Sequence, residues 1–200
     1  MSSRKQVAKE AARLMYTRLY KEYKDAKETA AESLGLQVMP SNFEVAEELD
    51  LLAGEMEPDR QEKLLEMRYI AIEVMKLLKK FEPKLIGSVW RGTIRKGSDI
   101  DIILFSSKKL EISQILHEKF NVKSIDDTNY IVDGTPKSST HIKIFQKRYE
   151  VEVVVRPPED EAEERCEVYG DVKRGISLSQ LEKLMRSDPL RRFIPKRRFR

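Results

Sequence analysis

The strongest constraint in this chain is a change of rhythm at Pro83. Ahead of it, apolar residues recur every three or four positions, the spacing that lines one face of a helix. Val7, Ala11, Leu14, Met15, Leu19, Tyr23, Ala26, Ala30 and Leu34 form one such stripe, predicting a single helix from Ser3 to Leu34 stopped by Gly35. Ser41, with Glu44 three residues later, reads as a capping box for a second helix through Ala53, closed by Gly54. A third helix follows Pro58, from Arg60 to Phe81, and Pro83 ends it.

Beyond Pro83 the spacing shortens to β-branched runs. Leu85-Ile86, Ile100 to Phe105, Tyr130 to Val132, His141 to Phe145 and Tyr149 to Val155 read as strands, and Leu110 to Phe120 as a helix between the second and third. Pro157-Pro158 closes the sheet region, Glu159 to Glu164 is expected to be solvated, and Ser179 with Glu182 suggests one more capped helix. The chain therefore divides on paper into an N-terminal helical region (1–82), a sheet-containing core (83–158) and a C-terminal helix with a tail (159–200).

Composition narrows the class. One cysteine, Cys166, in 200 residues excludes an internal disulfide framework and a cysteine-built zinc site, and fits a reducing cytoplasm. No apolar run approaches the 18 residues of a membrane span, and the charged N-terminus has no signal-peptide core, so no membrane partner is expected. The net charge is +4, yet Leu190 to Arg200 alone holds six cations and no acid, which leaves the first 189 residues at −2. Arg191, Arg192, Lys196, Arg197, Arg198 and Arg200, interleaved with Phe193 and Phe199, suit phosphate neutralisation and base stacking, as in an RNA contact; the opposing reading is a solubilising end.

The chemistry concentrates between residues 87 and 101. Gly87-Ser88 follows a short strand, where a bare Cα and a small hydroxyl let backbone N–H groups approach phosphate oxygens. A helix starting there would add partial positive charge, and Arg91 stands about one turn on, within reach of the same anion. Asp99 and Asp101 then lie two apart on a strand, on one face. Two carboxylates so placed repel one another unless one is protonated or a cation lies between them, and hard oxygens beside a phosphate cradle suit Mg²⁺. A third acid is available in the strand at 149–155: Glu152, between valines, is better placed than Glu150 beside the turn, and the choice between them stays open.

This ordered string, Gly87-Ser88, Arg91, Asp99-Ile100-Asp101 and a later acidic strand, resembles the signature of the DNA polymerase β-like nucleotidyltransferase superfamily. Within it, the string is most similar to archaeal CCA-adding enzymes and minimal nucleotidyltransferase domains, over residues 85–157. The resemblance implies an α+β fold, a mixed β-sheet flanked by helices and preceded here by the N-terminal helical region. It also implies triphosphate contacts from Gly87, Ser88 and Arg91. Two Mg²⁺ ions, or Mn²⁺, would be held by Asp99, Asp101 and Glu152. The reaction implied moves a nucleoside monophosphate from a nucleoside triphosphate to an acceptor hydroxyl and releases pyrophosphate. RNA is the expected acceptor; a protein acceptor, as in antitoxin-type minimal members, and a non-catalytic nucleic-acid-binding protein are the alternatives. Two departures stand out: many members have Asp where this chain has Glu152, and some 80 helical residues precede the motif. Those helices are a candidate acceptor platform or homodimer contact. His117 and His141 read as structural, Cys166 as a lone thiol and Trp90 as packing between helix and sheet.

Overall fold

The structure, a computed structural model, describes residues 2–132, 134–161 and 165–195. The N-terminal segment forms three helices, α1 (Ser3–Tyr16), α2 (Tyr23–Ser33) and α3 (Asn42–Met56). The expected single helix over 3–34 is thus two. The Thr17 hydroxyl donates to the Arg13 and Leu14 carbonyls at the end of α1, and Arg18 turns the chain with φ 62°. The apolar spacing continues through the break because both helices face one core, and Leu19, counted in that stripe, is 68% exposed at the turn. The Ser41–Glu44 capping box is formed in full at the start of α3.

Helix α4 (Arg60–Leu77) belongs elsewhere. Its Leu64, Met67, Ile70, Ala71, Val74 and Met75 share one apolar cluster with the sheet strands, whereas α1, α2 and α3 close around a cluster of their own. The expected division at 82/83 therefore falls inside a continuous core. Continuing along the chain come β1 (Lys84–Ile86), the short α5 (Gly87–Arg91), β2 (Ile100–Phe105), α6 (Lys109–Lys119), β3 (Asn121–Val132), β4 (Thr135–Gln146), β5 (Tyr149–Arg156), β6 (Ile176–Ser177) and α7 (Leu178–Ser187).

The six strands make one mixed sheet in the order β3-β4-β5-β2-β1-β6. At its centre β2 runs parallel to β5, with Asp101 beside Glu152; β4 flanks β5 antiparallel, with Lys143 beside Glu152, and β1 flanks β2 with Ile86 beside Asp101. Period-two alternation does the sorting. Ile100, Ile102, Val151 and Val153 are fully buried on the face that also takes Ile112 and Leu116 of α6, so Asp101 and Glu152 project together from the other face. The β3–β4 ribbon is longer than the expected strands, because its polar residues hide the alternation. Helix α7 starts two residues early: its box is Ser177 with Gln180, not Ser179 with Glu182. Of the expected solvated stretch, residues 158–160 form one 3₁₀ turn whose Asp160 is buried against Lys137 at 3.0 Å, and 162–164 lie outside the described residues. So do Lys196 to Arg200 of the basic tail.

Candidate active site

Strand ends place the acids. Asp99 precedes β2, Asp101 lies in its first turn of pleat and Glu152 is its register partner on β5, so three carboxylates from two parallel strands converge. Among the described residues they form one cluster in which each offers an oxygen, all within 4.8 Å of one another. Burial raises the pKa of Asp99, with Glu152 and Glu150 adding to it against a backbone hydrogen bond that lowers it. Burial also lifts Asp101, reinforced by the charges of Asp99 and Glu152. Three acids sharing so small a volume repel one another, and Lys143 offsets only part of that repulsion. A divalent cation accepted by hard oxygens relieves it, and the donor set fits Mg²⁺ or Mn²⁺.

Gly87 explains how the motif approaches these acids. It has φ +69°, and a side chain built there would overlap the Asp101 carboxylate, with its Cβ 2.9 Å from Asp101 Cγ. Only glycine satisfies both the left-handed backbone and the missing volume. The neighbouring Ser88 hydroxyl has no hydrogen-bond partner among the described residues.

Arg91 is set differently from a free phosphate ligand. Its Nη1 and Nη2 lie 3.1 and 2.8 Å from Asp171, Nη1 also donates to the Phe193 carbonyl at 3.0 Å, and the guanidinium sits between the rings of Trp90 and Tyr169 at 4.5 and 4.4 Å. Its fork is therefore already occupied, and its role here is to tie α5 to the turn at 165–171 and to the C-terminal segment. Trp90 packs in the core, as expected.

Two side chains reach Glu152: His141, expected from the sequence to be structural, and Lys143, which the sequence does not single out. His141 Nδ1 is 3.2 Å from Glu152 Oε1, and its Nε2 is 2.8 Å from Ser139 Oγ. Lys143 Nζ lies 3.7 Å from the same Oε1, and Glu152 raises the lysine's pKa. The signal was a registration, not a motif: residues opposite and diagonal to Glu152 on β4 are its neighbours once β4 and β5 pair. Glu150 points to Lys123 at 2.8 Å and Lys143 at 3.5 Å, away from the carboxylate cluster.

The loop between the motif and the acids is held by the turn after α1, the end of α3 and the start of α4. Arg18 Nη2 donates to the Gly97 carbonyl at 3.1 Å, the Lys96 N–H donates to Glu57 Oε1 at 2.8 Å, and Arg60 Nε donates to the Ile94 carbonyl at 2.6 Å. Three side chains from outside the motif thus fix residues 94–98, immediately ahead of Asp99.

Residues 67–164 match the family described as nucleotidyltransferase domain. Among solved structures, the Cid1 poly(U) polymerase bound to MgATP is similar over 46% of this chain and 32% of its own, at 14% identity and a TM-score of 0.32. The GLD-2/RNP-8 complex is similar over 55% of this chain and 38% of its own, at 15% identity and a TM-score of 0.33. The chain spans about a third of the length of these structures. No curated protein matches. The ordered motif on the mixed sheet lies within the stretch, residues 67–164, that is similar to the nucleotidyltransferase domain family.

Proposed function

We propose that this domain catalyses metal-dependent transfer of a nucleoside monophosphate from a nucleoside triphosphate to an acceptor hydroxyl, with pyrophosphate released. The observation that carries the reading is the convergence of Asp99, Asp101 and Glu152 within 4.8 Å beside the bare Cα of Gly87. Asp99, Asp101 and Glu152 would hold the divalent metal, in the two-ion form that such acid triads take. Bound there, Mg²⁺ or Mn²⁺ supplies charge neutralisation at the phosphates and a lowered pKa for the attacking hydroxyl.

The chain's own residues do the rest. Gly87 and Ser88 let the triphosphate lie against the backbone, close to the acids. Glu152, its Oε1 steadied by His141, keeps the second oxygen for the metal or for the proton of the attacking hydroxyl. The attack on the α-phosphorus is in line, and the protein's contribution is positioning and fixed charge. In this reading the catalytic domain begins with α4, and α1 to α3 form a separate helical unit that braces the loop at 94–98.

RNA is the acceptor we favour, because the cations of Leu190 to Arg200, apart from Arg192 which pairs with Asp50, complement a phosphate backbone. The test is incubation of the protein with each α-labelled nucleoside triphosphate and Mg²⁺, alongside RNA and alongside protein. Label on RNA, lost in Asp99→Asn, is expected. Label on protein alone replaces the acceptor, and pyrophosphate release unchanged in Asp99→Asn removes the metal assignment.

A further inference from the structure

A cleft of about 210 Å³ opens beside Gly87 and Ser88, and five of its thirteen lining residues come from α2 and α3. Helices α2 and α3 contribute Tyr23, Ala46 and Leu49; the motif segment contributes Ser88 and Arg95; the turn at 165–171 contributes Cys166 and Tyr169. Its volume is below the roughly 300–1,000 Å³ of pockets that take a whole drug-sized ligand, so it has room for part of a nucleotide.

Charge decides which part. Asp50, on the wall, is paired with both Arg60 and Arg192, and Arg91 is committed to Asp171. Arg95 makes no ion pair among the described residues. One uncommitted cation is a poor match for a triphosphate, whereas apolar side chains with two tyrosines suit a flat, uncharged ring. Tyr23, Arg95, Cys166 and Tyr169 wall the same cleft, and burial pushes the Tyr23 phenol up to about 12, so it stays a neutral hydroxyl. The Tyr169 ring is held in place by Arg91 at 4.4 Å and by the edge of Phe43 at 5.9 Å.

We infer that this cleft binds the nucleobase of the nucleoside triphosphate, with the N-terminal helices supplying its outer wall. The inference rests on the nucleotidyl-transfer reading and adds to it the place where the base is recognised. It gives α1 to α3 a share in substrate choice, since Tyr23 and Ala46 shape a pocket that the sheet domain alone would leave open.

Cys166, the chain's single cysteine, reports on occupancy without any substitution. Iodoacetamide labelling of the native protein is timed with Mg²⁺ plus ATP, GTP, CTP or UTP, and with Mg²⁺ plus inorganic tripolyphosphate, while calorimetry records binding of each. At least one nucleoside triphosphate is expected to slow labelling about tenfold at saturation, with tripolyphosphate leaving it near the ligand-free rate. Tyr23→Phe, which keeps the ring, and Ala46→Leu, which fills the cleft, are each expected to weaken that nucleotide about tenfold while tripolyphosphate binding is unchanged. A nucleotide that binds by calorimetry yet leaves Cys166 labelling unslowed overturns the base pocket and spares the proposed activity. Equal protection by tripolyphosphate assigns the cleft to phosphate and overturns it as well. Absence of binding by every nucleoside triphosphate defeats the proposed activity and this inference together.

Discussion

Asp101 carries a cost that the free protein bears alone. Its folded-state pKa is raised, so the folded chain holds that proton more tightly than the unfolded chain does. The contribution of Asp101 to the stability of the metal-free protein should then be greatest at low pH and fall as the pH rises from the ordinary carboxylate range through the raised value. Asp101→Asn is expected to remove that fall and raise the melting temperature at pH 8 by on the order of 2–4 °C, the equivalent of about 1 kcal/mol. The same variant should lose at least about a hundredfold in turnover, consistent with loss of charge stabilisation. Melting curves with and without Mg²⁺ at pH 5.5 and pH 8, as round settings of about those values, check both halves: Mg²⁺ should raise the wild-type midpoint more at the higher pH. Gly87→Ala is the complementary change. Its methyl group would meet the Asp101 carboxylate from a left-handed backbone, so we expect about 1–2 kcal/mol of destabilisation and loss of triphosphate binding by calorimetry. At this scale the acids were legible, because a DxD on an alternating strand fixes its own geometry. The partner of Arg91 was not, since Asp171 is 80 residues away and no local pattern names it.

Among elements, the capping box of α3 is tied to α1. Glu44 is pushed up by burial, but the Ser41 N–H and hydroxyl and the Arg4 guanidinium outweigh that and bring its pKa down to about 2. A lowered folded-state pKa contributes stability above the unfolded value and loses it as the pH falls toward the folded one. Acid should therefore loosen the three-helix unit between the ordinary glutamate range and about 2, and Glu44→Gln should flatten that part of the profile, as read by far-ultraviolet circular dichroism. The box itself could be read from Ser41 and Glu44, being local. The break between α1 and α2 could not: the apolar spacing runs through it, and only the turn at Arg18 reveals two helices sharing one core. The β3–β4 ribbon was underestimated for a related reason. Strand pairing satisfies its polar backbone over twelve residues on each side, while the side chains of Ser124, Asp126, Asp127 and Thr128 carry no hydrophobic alternation.

For the molecule as a whole, one arginine joins distant parts of the chain. Arg68 of α4 is fully buried and donates to four carbonyls: Val89 at 3.2 Å and Trp90 at 3.1 Å at the end of α5, and Pro189 at 2.5 Å and Arg191 at 2.9 Å in the C-terminal segment. Burial lowers its pKa to about 10, so it stays charged at neutral pH, with Asp188 acting to raise it. Arg68→Met should strand those carbonyls and cost about 3 kcal/mol or more, seen as a denaturant midpoint shift with little change in slope. The sequence showed Arg68 only as a polar residue inside a helix, and α4 as one more N-terminal helix. What groups α4 with the sheet is the apolar cluster it shares with strands that come later in the chain.

That stitching also sets an order of events during synthesis. The Gly-Ser motif and the acids of β2 emerge well before residue 189, but Arg68, which bonds the end of α5, also reaches forward by 121 to 123 residues to the carbonyls of Pro189 and Arg191. A nascent chain paused after β5 has made its three carboxylates and not yet the clamp that fixes the motif beside them, so nucleotide binding should switch on only once residues 189–191 have emerged and docked. Contacts of such separation close slowly, which makes the C-terminal segment the step most exposed to competition from chaperones or misfolding.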